Sequence, residues 1–331
     1  MISMRKRTGA INQGQITDVP GIKVGNKEDL DALTGCTVVL AEEGATAGVD
    51  VRGSAPGTRE TDLLNPINFV EKVHAIVLSG GSAFGLDAAS GVMQYLEERD
   101  IGLHAGPAKV PIVPAAVLFD LAVGNGKVRP DKQMGYEAAR IASNQKFKVG
   151  NAGAGCGATV GKLAGFNQSM KGGLGSASIH LGNGVTIGAI VAVNPVGDVR
   201  NPATGEILAG AYDRNQRKII DSLDILENQS ALNVSAGSNT TIGVIAVNAD
   251  LTKAEATKVA QMAHDGYART IYPAHSMLDG DTIFTLATGG NKRSVDLLGT
   301  MAAKVMEMAI LNAIYTAETV ANIPAYRDLF K

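Results

Sequence analysis

Four segments of the chain are apolar along almost their whole length, and this feature constrains the fold most. They are HAIVLSG (74–80), VTIGAIVAVN (185–194), TTIGVIAVN (240–248) and TIFTLATG (282–289). A strand with one face open to water alternates apolar and polar residues, whereas a strand buried on both faces does not. The sequence therefore predicts strands in sheets that are covered on both sides.

Helix patterns lie between these strands. The segment 252–270 places apolar residues at the i, i+3, i+4 and i+7 spacing of one helix face. Thr252 followed by Glu255 forms a capping box that predicts where this helix begins. A second long helix is predicted behind a Ser294 cap, and a third follows the glycine loop 79–85 through LDAASGVMQYLEER. This mixed order favours a layered α/β or α+β sandwich over an all-β barrel.

The composition bounds the class of protein. The 331 residues can bury a substantial core, and a net charge of −2 without a long run of one sign argues against a nucleic-acid or anionic-membrane partner. No run of eighteen apolar residues occurs, and none follows the basic start, so neither a membrane span nor a signal peptide is predicted. Cys36 and Cys156 cannot build a disulfide framework, and no Cys/His spacing suits zinc. We therefore expect a cytoplasmic globular protein without metal or cofactor.

Two glycine-rich stretches imitate known motifs. GNAGAGCGATVGK (150–162) ends like a phosphate-binding loop, but Cys156 and Leu163 replace the glycine and the Ser/Thr that such a loop needs. SGGSAFG (79–85) resembles a nucleophile elbow, but Phe84 stands where glycine is required. Ser82 is therefore expected to be a loop or helix-start residue that lines a pocket.

The junction between a polar turn and an apolar strand at Asn239-Thr240 carries the main functional signal. A threonine that becomes the first residue of a chain has a free α-amine with a pKa near ~8, which can act as general base for its own hydroxyl. The cut that creates it should fall between an exposed loop and a buried strand, and the stretch AGSNTTIGV has this layout. The alternative is an ordinary turn that opens a strand with β-branched residues.

Polar residues elsewhere in the sequence also stand at strand ends. Asp279 and Asp281 flank a glycine just before a predicted strand, where a metal site or a solvated loop is the alternative. Asn194 ends another strand, and Pro195 stops the hydrogen-bond ladder behind it. The asparagine amide is thereby free to donate to a developing oxyanion.

Together, NTTIGVIAVNADLT, MAHDGYARTIYPAHSMLDGDTIFTLATG, VAVNPVG, AGAGCGATVGK and VLSGGSAFGLDAASGV resemble the self-processing L-aminopeptidase/D-esterase family. This family includes β-peptidyl aminopeptidases and nylon-oligomer hydrolases. The resemblance implies an α+β fold, a four-layer αββα sandwich similar to the N-terminal-nucleophile hydrolases but with different strand connectivity. It also implies that a single domain, 1–331, cuts itself into an α chain (1–239) and a β chain (240–331) that stay associated.

The resemblance also implies roles for individual residues. Thr240 matches the nucleophile, Asn194 the oxyanion-stabilising residue, Lys162 a lysine near the nucleophile, and Asp279 and Asp281 an acidic pair. A lysine there would lower the pKa of the new amine by like-charge repulsion, while the aspartates would orient that amine or hold a substrate ammonium. Before a free amine exists, Asp281 or Lys162 is the candidate base for self-cleavage.

The expected substrate is a small peptide or amide that loses its N-terminal residue. Ser82 and Phe84 are expected near the pocket, and Phe119 stands where some nylon hydrolases carry a tyrosine, which puts their substrate range in doubt. An ornithine-acetyltransferase-like acyltransferase and an uncleaved, non-catalytic binding protein are the alternatives. The resemblance further implies a homo-oligomer, a tetramer of αβ units, with no nucleic-acid or membrane partner.

Overall fold

A computed structural model describes residues 14–228 and 239–330 of the chain. Strands and helices follow each other in mixed order within these ranges. The strands are β1 (Lys23–Asp29), β2 (Thr34–Val51), β3 (Gly57–Arg59), β4 (Lys72–Ser79), β5 (Leu103–Ala105), β6 (Ala108–Val110), β7 (Ala115–Val117), β8 (Thr159–Val160), β9 (Met170–Lys171), β10 (Gly173–His180), β11 (Thr186–Val193), β12 (Asp198–Arg200), β13 (Ile207–Ala209), β14 (Ala211–Asp213), β15 (Lys218–Ile220), β16 (Ile242–Val247), β17 (Ile271–Tyr272) and β18 (Thr282–Ala287).

Nine of these strands form the main sheet, in the order β10-β11-β16-β18-β2-β4-β7-β3, with β1 paired to β2. The pairs β16–β18 and β4–β7 are parallel, and the other pairs of the sheet are antiparallel. The four predicted apolar strands correspond to β4, β11, β16 and β18, with ends that differ by one or two residues. They are confirmed, and every residue of β11, β16 and β18 is buried.

The helices confirm the capping signals in the sequence. They are α1 (Ala88–Glu97), α2 (Lys132–Arg140), α3 (Ser222–Asn228), α4 (Lys253–Thr270), α5 (Val295–Thr316) and α6 (Tyr326–Leu329). Thr252 accepts a hydrogen bond from the Glu255 amide in the predicted capping box of α4. Ser294 accepts from the Leu297 amide at the start of α5. Helix α1 begins later than its apolar pattern because Ser82–Asp87 forms a 3₁₀ turn.

The three largest of the buried apolar clusters form most of the interior. One lies between helices α4 and α5 and the sheet, and a second lies between the sheet and helices α1 and α2. The third draws on strands from both halves of the sheet and includes Val39, Ile76, Ile190, Val244 and Phe284. The architecture is α+β, as predicted. These clusters accord with an αββα order of layers, which stays a prediction.

Among the described residues, one helix is long and apolar enough to cross a membrane. This helix is α5, with a mean hydropathy of 1.4 over its most apolar window. It packs against α4, β10 and β11, and 67% of that window is buried inside the protein. The core of this fold therefore accounts for its apolar residues.

The long polar segment between Pro195 and Asn239 contains regular structure in its described part. Strand β12 pairs with β13 and β17, and β14 pairs with β15. Helix α3 follows and ends at Asn228. The sequence predicts the unusual length of this segment, but its short strands lack a pattern long enough to detect.

Candidate active site

Three strand ends meet at one edge of the main sheet. Strands β16 and β18 run parallel, with Ile242 opposite Thr282, so the residues before both strands lie side by side. Strand β11 runs antiparallel to β16, with Ala192 opposite Ile242, so its last residues reach the same edge. This topology brings together the Asn239-Thr240 junction, the two aspartates that precede β18, and Asn194.

The Asn239-Thr240 junction is buried in the uncut chain. Thr240 is only 3% exposed, and Asn239 and Thr241 are fully buried. The Thr240 amide donates to the backbone carbonyl of Asn194 at 3.0 Å. The scissile position predicted from the sequence is therefore fixed on both sides by the sheet edge.

The hydroxyl of Thr240 lies against the peptide bond that precedes it. Its Oγ1 donates to the carbonyl oxygen of Asn239. The same oxygen accepts a hydrogen bond from the Gly280 amide at 3.1 Å. A Cβ on Gly280 would stand 2.7 Å from Thr240 Oγ1, so only glycine leaves room for the hydroxyl here. A backbone donor thus points at the carbonyl that a Thr240 nucleophile would attack.

Asn194 is fully buried, and its neighbours fix the orientation of its amide. Its Oδ1 accepts from the Thr159 amide at 2.9 Å and from Lys162 Nζ at 3.1 Å. Its Nδ2 donates to the carbonyl of Phe119 at 3.1 Å. Because Oδ1 faces two donors and Nδ2 faces an acceptor, the reversed amide is excluded. The second N–H of Nδ2 is the one that can reach a substrate oxygen.

The Nζ atom of Lys162 donates hydrogen bonds to four oxygen atoms of the described residues. Its Nζ donates to the carbonyls of Thr159 at 2.8 Å, Asn194 at 2.9 Å and Pro195 at 3.0 Å, in addition to Asn194 Oδ1. Burial lowers the pKa of Lys162 to about 7, and Asp279 and Asp281 oppose this shift. A neutral amine has only two N–H groups for these four oxygens, so the surroundings favour the ammonium form.

The carboxylate of Asp281 is surrounded by N–H donors. Thr241 N–H donates to Oδ1 at 2.8 Å, and His275 N–H donates to Oδ2 at 3.0 Å. The ring Nδ1 of His275 lies 2.9 Å from the same Oδ2. Asp281 is only 1% exposed, so these donors replace water as the partners of its carboxylate.

Asp279 has its own set of donors. The Val196 amide donates to Oδ1 at 3.1 Å, and Ser276 Oγ donates to Oδ2 at 2.5 Å. Burial and the charge of Asp281 raise the pKa of Asp279 to about 6, while the hydrogen bonds from Ser276 and Val196 act in the opposite direction. The two aspartates therefore share one buried environment but are held by different groups.

The residues that follow β2 pack directly against the segment 279–281, which contains both aspartates. The amides of Arg52 and Gly53 donate to the Asp281 carbonyl at 3.0 and 3.2 Å, and the Ala55 amide donates to the Asp279 carbonyl at 2.9 Å. A Cβ on Gly53 would collide with the Asp281 amide nitrogen. The backbone carbonyls of the two aspartates are thus bound by backbone amides of the segment that follows β2.

The structure places the predicted pocket residues at different distances from this site. Phe119 is adjacent through its carbonyl, but its ring has no hydroxyl to offer. Ser82 is one step removed, since its amide donates to the Leu118 carbonyl at 2.9 Å. Phe84 is 58% exposed, and Arg129 lies over its ring at 3.7 Å. No contact joins Phe84 to the other candidate residues within the described ranges.

Three neighbours of the site are absent from the sequence-based candidates: Gly280, His275 and Ser276. The histidines show no metal-ligand spacing, and a lone histidine is most often a surface or core group. The string HSMLDGD nevertheless offers a local signal, because Ser276, three residues before Asp279, and His275, six residues before Asp281, can fold back onto these aspartates in a tight turn. Within 14–228 and 239–330, no three His, Cys, Asp or Glu residues are placed to hold a metal ion.

The fold matches solved structures. One is the L-aminopeptidase D-Ala-esterase/amidase of Ochrobactrum anthropi, with a TM-score of 0.68 and 17% identity, covering 92% of this chain and 86% of that one. That protein is described as a new variant among the N-terminal-nucleophile hydrolase fold. At this identity the likeness establishes the fold alone, and the present chain has the fold of that class of hydrolases.

The sequence comparisons give the family. The model of peptidase family S58 matches residues 14–325. An uncharacterized aminopeptidase of Mycobacterium tuberculosis is 43% identical, covering 95% of this chain and 97% of that protein. A 6-aminohexanoate-oligomer endohydrolase of Kocuria sp. is 34% identical, covering 89% and 84%. The chain belongs to peptidase family S58, a family that hydrolyses peptide and amide bonds, and the resemblance drawn from its motifs is confirmed.

Proposed function

We propose that this protein is an aminopeptidase or amidase that activates itself by cutting the Asn239-Thr240 bond. The observation that carries this proposal is the contact of Thr240 Oγ1 with the carbonyl of Asn239, on which the Gly280 amide also converges. The nucleophile, the bond to be cut and a donor for the developing oxyanion therefore lie together before cleavage.

Self-cleavage begins with attack of Thr240 Oγ1 on the Asn239 carbonyl carbon. The carbonyl oxygen takes up negative charge, which the Gly280 N–H stabilises. The C–N bond then breaks, the proton from Oγ1 reaches the departing amine of Thr240, and an ester joins Asn239 to Oγ1. Water hydrolyses this ester to a carboxylate on Asn239 and a free Thr240.

Asp281 is the better candidate for the base of this step. Lys162 Nζ is directed at four oxygen atoms, and Thr240 Oγ1 is not one of them. The Asp281 carboxylate accepts a hydrogen bond from the Thr241 amide at 2.8 Å, one residue from the proposed nucleophile. Removal of its carboxylate should therefore slow cleavage more than its contribution to stability explains.

In the mature enzyme, the α-amine of Thr240 takes the proton from its own hydroxyl. The hydroxyl attacks a substrate amide, and the free N–H of Asn194 stabilises the oxyanion. The leaving amine departs with the proton, an acyl-threonine remains, and water releases the acid. Thr240 N and Lys162 Nζ share the carbonyl of Asn194, at 3.0 and 2.9 Å, so Lys162 is close enough to keep the amine neutral by repulsion.

The substrate we propose is a small peptide or amide with a free amino end. Asp279 and Asp281 supply buried negative charge beside the nucleophile, which suits an ammonium group of the substrate. Among the relatives, the mycobacterial protein is called an aminopeptidase and the Kocuria protein acts on 6-aminohexanoate oligomers. A panel of aminoacyl p-nitroanilides, compared with a 6-aminohexanoate oligomer, distinguishes these substrate classes.

The matched variants Thr240→Val and Thr241→Val test the assignment of the nucleophile. Both substitutions keep a β-branched shape at the start of β16, but only the first removes the proposed nucleophile. Intact mass should reveal fragments 1–239 and 240–331 for the wild type and for Thr241→Val, and one uncut chain for Thr240→Val. A wild-type chain that stays whole at 34.1 kDa after days at neutral pH contradicts self-cleavage.

A further inference from the structure

Among the described residues, His275 makes two of the three hydrogen bonds to the Asp281 carboxylate. Its backbone N–H and its ring Nδ1 both meet Oδ2, at 3.0 and 2.9 Å, while Thr241 N–H holds Oδ1 at 2.8 Å. Since Asp281 accepts, Nδ1 must be the protonated ring nitrogen. The other ring nitrogen, Nε2, is buried without a partner among the described residues. In the part of the chain that the structure describes, the only hydrogen bond of the His275 ring is therefore the one to Asp281.

The backbone of His275 is shaped for this double contact. Its φ of +56° lies in the left-handed region, which few residues other than glycine adopt. That conformation turns the N–H and the ring toward the same carboxylate oxygen. Histidine, asparagine and aspartate tolerate this region better than other side chains do. A strained residue beside an active-site carboxylate points to a role in the site.

The ring of His275 also packs against two aromatic residues of α4. It stacks on Tyr267, with centroids 6.0 Å apart and planes inclined by 25°, and it meets the edge of His264 at 4.7 Å. Tyr267 and His264 are both fully buried on α4. His264 Nε2 lies 3.0 Å from the Asp50 carbonyl, which anchors it in turn. The His275 side chain, 20% exposed, therefore has little freedom to leave Asp281.

We propose that His275 is a positioning residue for Asp281, and that its Nδ1–H, not the stacking of its ring, keeps this carboxylate in place beside the Thr240-Thr241 junction. This inference rests on the proposed function. Through Oδ1 and the Thr241 amide, the orientation of Asp281 fixes the backbone next to the nucleophile. Loss of the ring donor would free Oδ2 on that side and loosen the alignment of Thr240 with the carbonyl it attacks.

Two substitutions separate the donor from the ring. His275→Asn keeps an N–H near the position of Nδ1 and tolerates a positive φ, but it removes the stacked ring. His275→Phe keeps an aromatic ring on Tyr267 but has no donor. Each full-length variant is followed for appearance of fragment 240–331, for kcat and KM on an aminoacyl p-nitroanilide, and for its melting temperature.

We expect His275→Phe to lower the cleavage rate and kcat by up to roughly 10²-fold, the scale of a misplacement near 1 Å. His275→Asn should stay close to the wild type, even if it melts at a lower temperature. Wild-type rates in His275→Phe, or an equal loss in both variants, overturn the positioning role while the wild type still cleaves. A wild type that does not cleave before Thr240 overturns the proposed function instead.

Discussion

Replacing Gly280 by alanine should slow cleavage before Thr240 through steric contact alone. A Cβ at this position would stand 2.7 Å from Thr240 Oγ1 and 2.7 Å from the Ala55 carbonyl oxygen. Ordinary contacts begin at 3.4 Å, so the hydroxyl or the backbone must move by about 0.7 Å. The φ of Gly280 is not positive, so alanine adds a steric conflict without a backbone penalty.

The size of the effect follows from this displacement. A shift near 1 Å in a reacting group can cost 10²-fold in rate, so about 0.7 Å should slow cleavage by roughly 10- to 100-fold. The same crowding should lower the free energy of unfolding by about 1–3 kcal/mol, the usual cost of an extra methyl in a packed site. The fold should therefore survive while self-cleavage becomes slower.

The assay is a time course of the purified protein at neutral pH, read by denaturing gel and intact mass. Gly182→Ala is the matched control, because its Cβ would meet nothing within 4 Å and its φ is not positive. Urea unfolding of both variants checks that Gly280→Ala is folded. Cleavage of Gly280→Ala at the rate of Gly182→Ala would refute the reasoning that the hydroxyl must stay in this position.

Three further predictions concern the groups around the junction. Asn194→Ala keeps the backbone carbonyl that binds Thr240 but loses the amide donor, so kcat on an aminoacyl p-nitroanilide should fall by ~10²–10³, and normal turnover would contradict its role. Lys162→Met leaves four buried oxygens without a cation donor and should lower the urea-measured free energy of unfolding by roughly 3 kcal/mol. Ser276→Ala removes a donor that stabilises ionised Asp279, so the pKa of Asp279 should rise further above about 6. The acidic limb of the kcat/KM profile should then move to higher pH. An unmoved limb would contradict the idea that activity requires ionised Asp279.

Much of the fold can be predicted from the sequence because its signals are local. The capping box at Thr252 and the apolar faces of α4 and α5 fix those helices, and continuous apolar runs mark β4, β11, β16 and β18. The short strands from β12 to β15 give no such signal, since three residues carry no period. The pairing order of the sheet depends on contacts distant in sequence, which a local pattern does not encode.

The candidate site, like the fold, can be predicted from the sequence only in part. Asn194, Thr240, Asp279 and Asp281 stand out because each is a polar residue at the end of an apolar strand. Their convergence on one edge requires β16 to be parallel to β18 and antiparallel to β11, which only the structure gives. His275 has only the weak local signal of the string HSMLDGD, and its contact with Asp281 appears only in the structure.

The charges around Thr240 suggest why cleavage and catalysis can use one set of residues. Before cleavage, Lys162 is buried beside two aspartates, and the junction itself is a neutral amide. The proposed cleavage would add an amine that can become a cation; the aspartates would then raise its pKa, whereas Lys162 would lower it. Lys162 Nζ and Thr240 N share the Asn194 carbonyl, at 2.9 and 3.0 Å, so the lysine lies close to the proposed amine. In the proposed mechanism, the lysine that orders Asn194 in the precursor would therefore also lower the pKa of the nucleophile's amine in the mature enzyme.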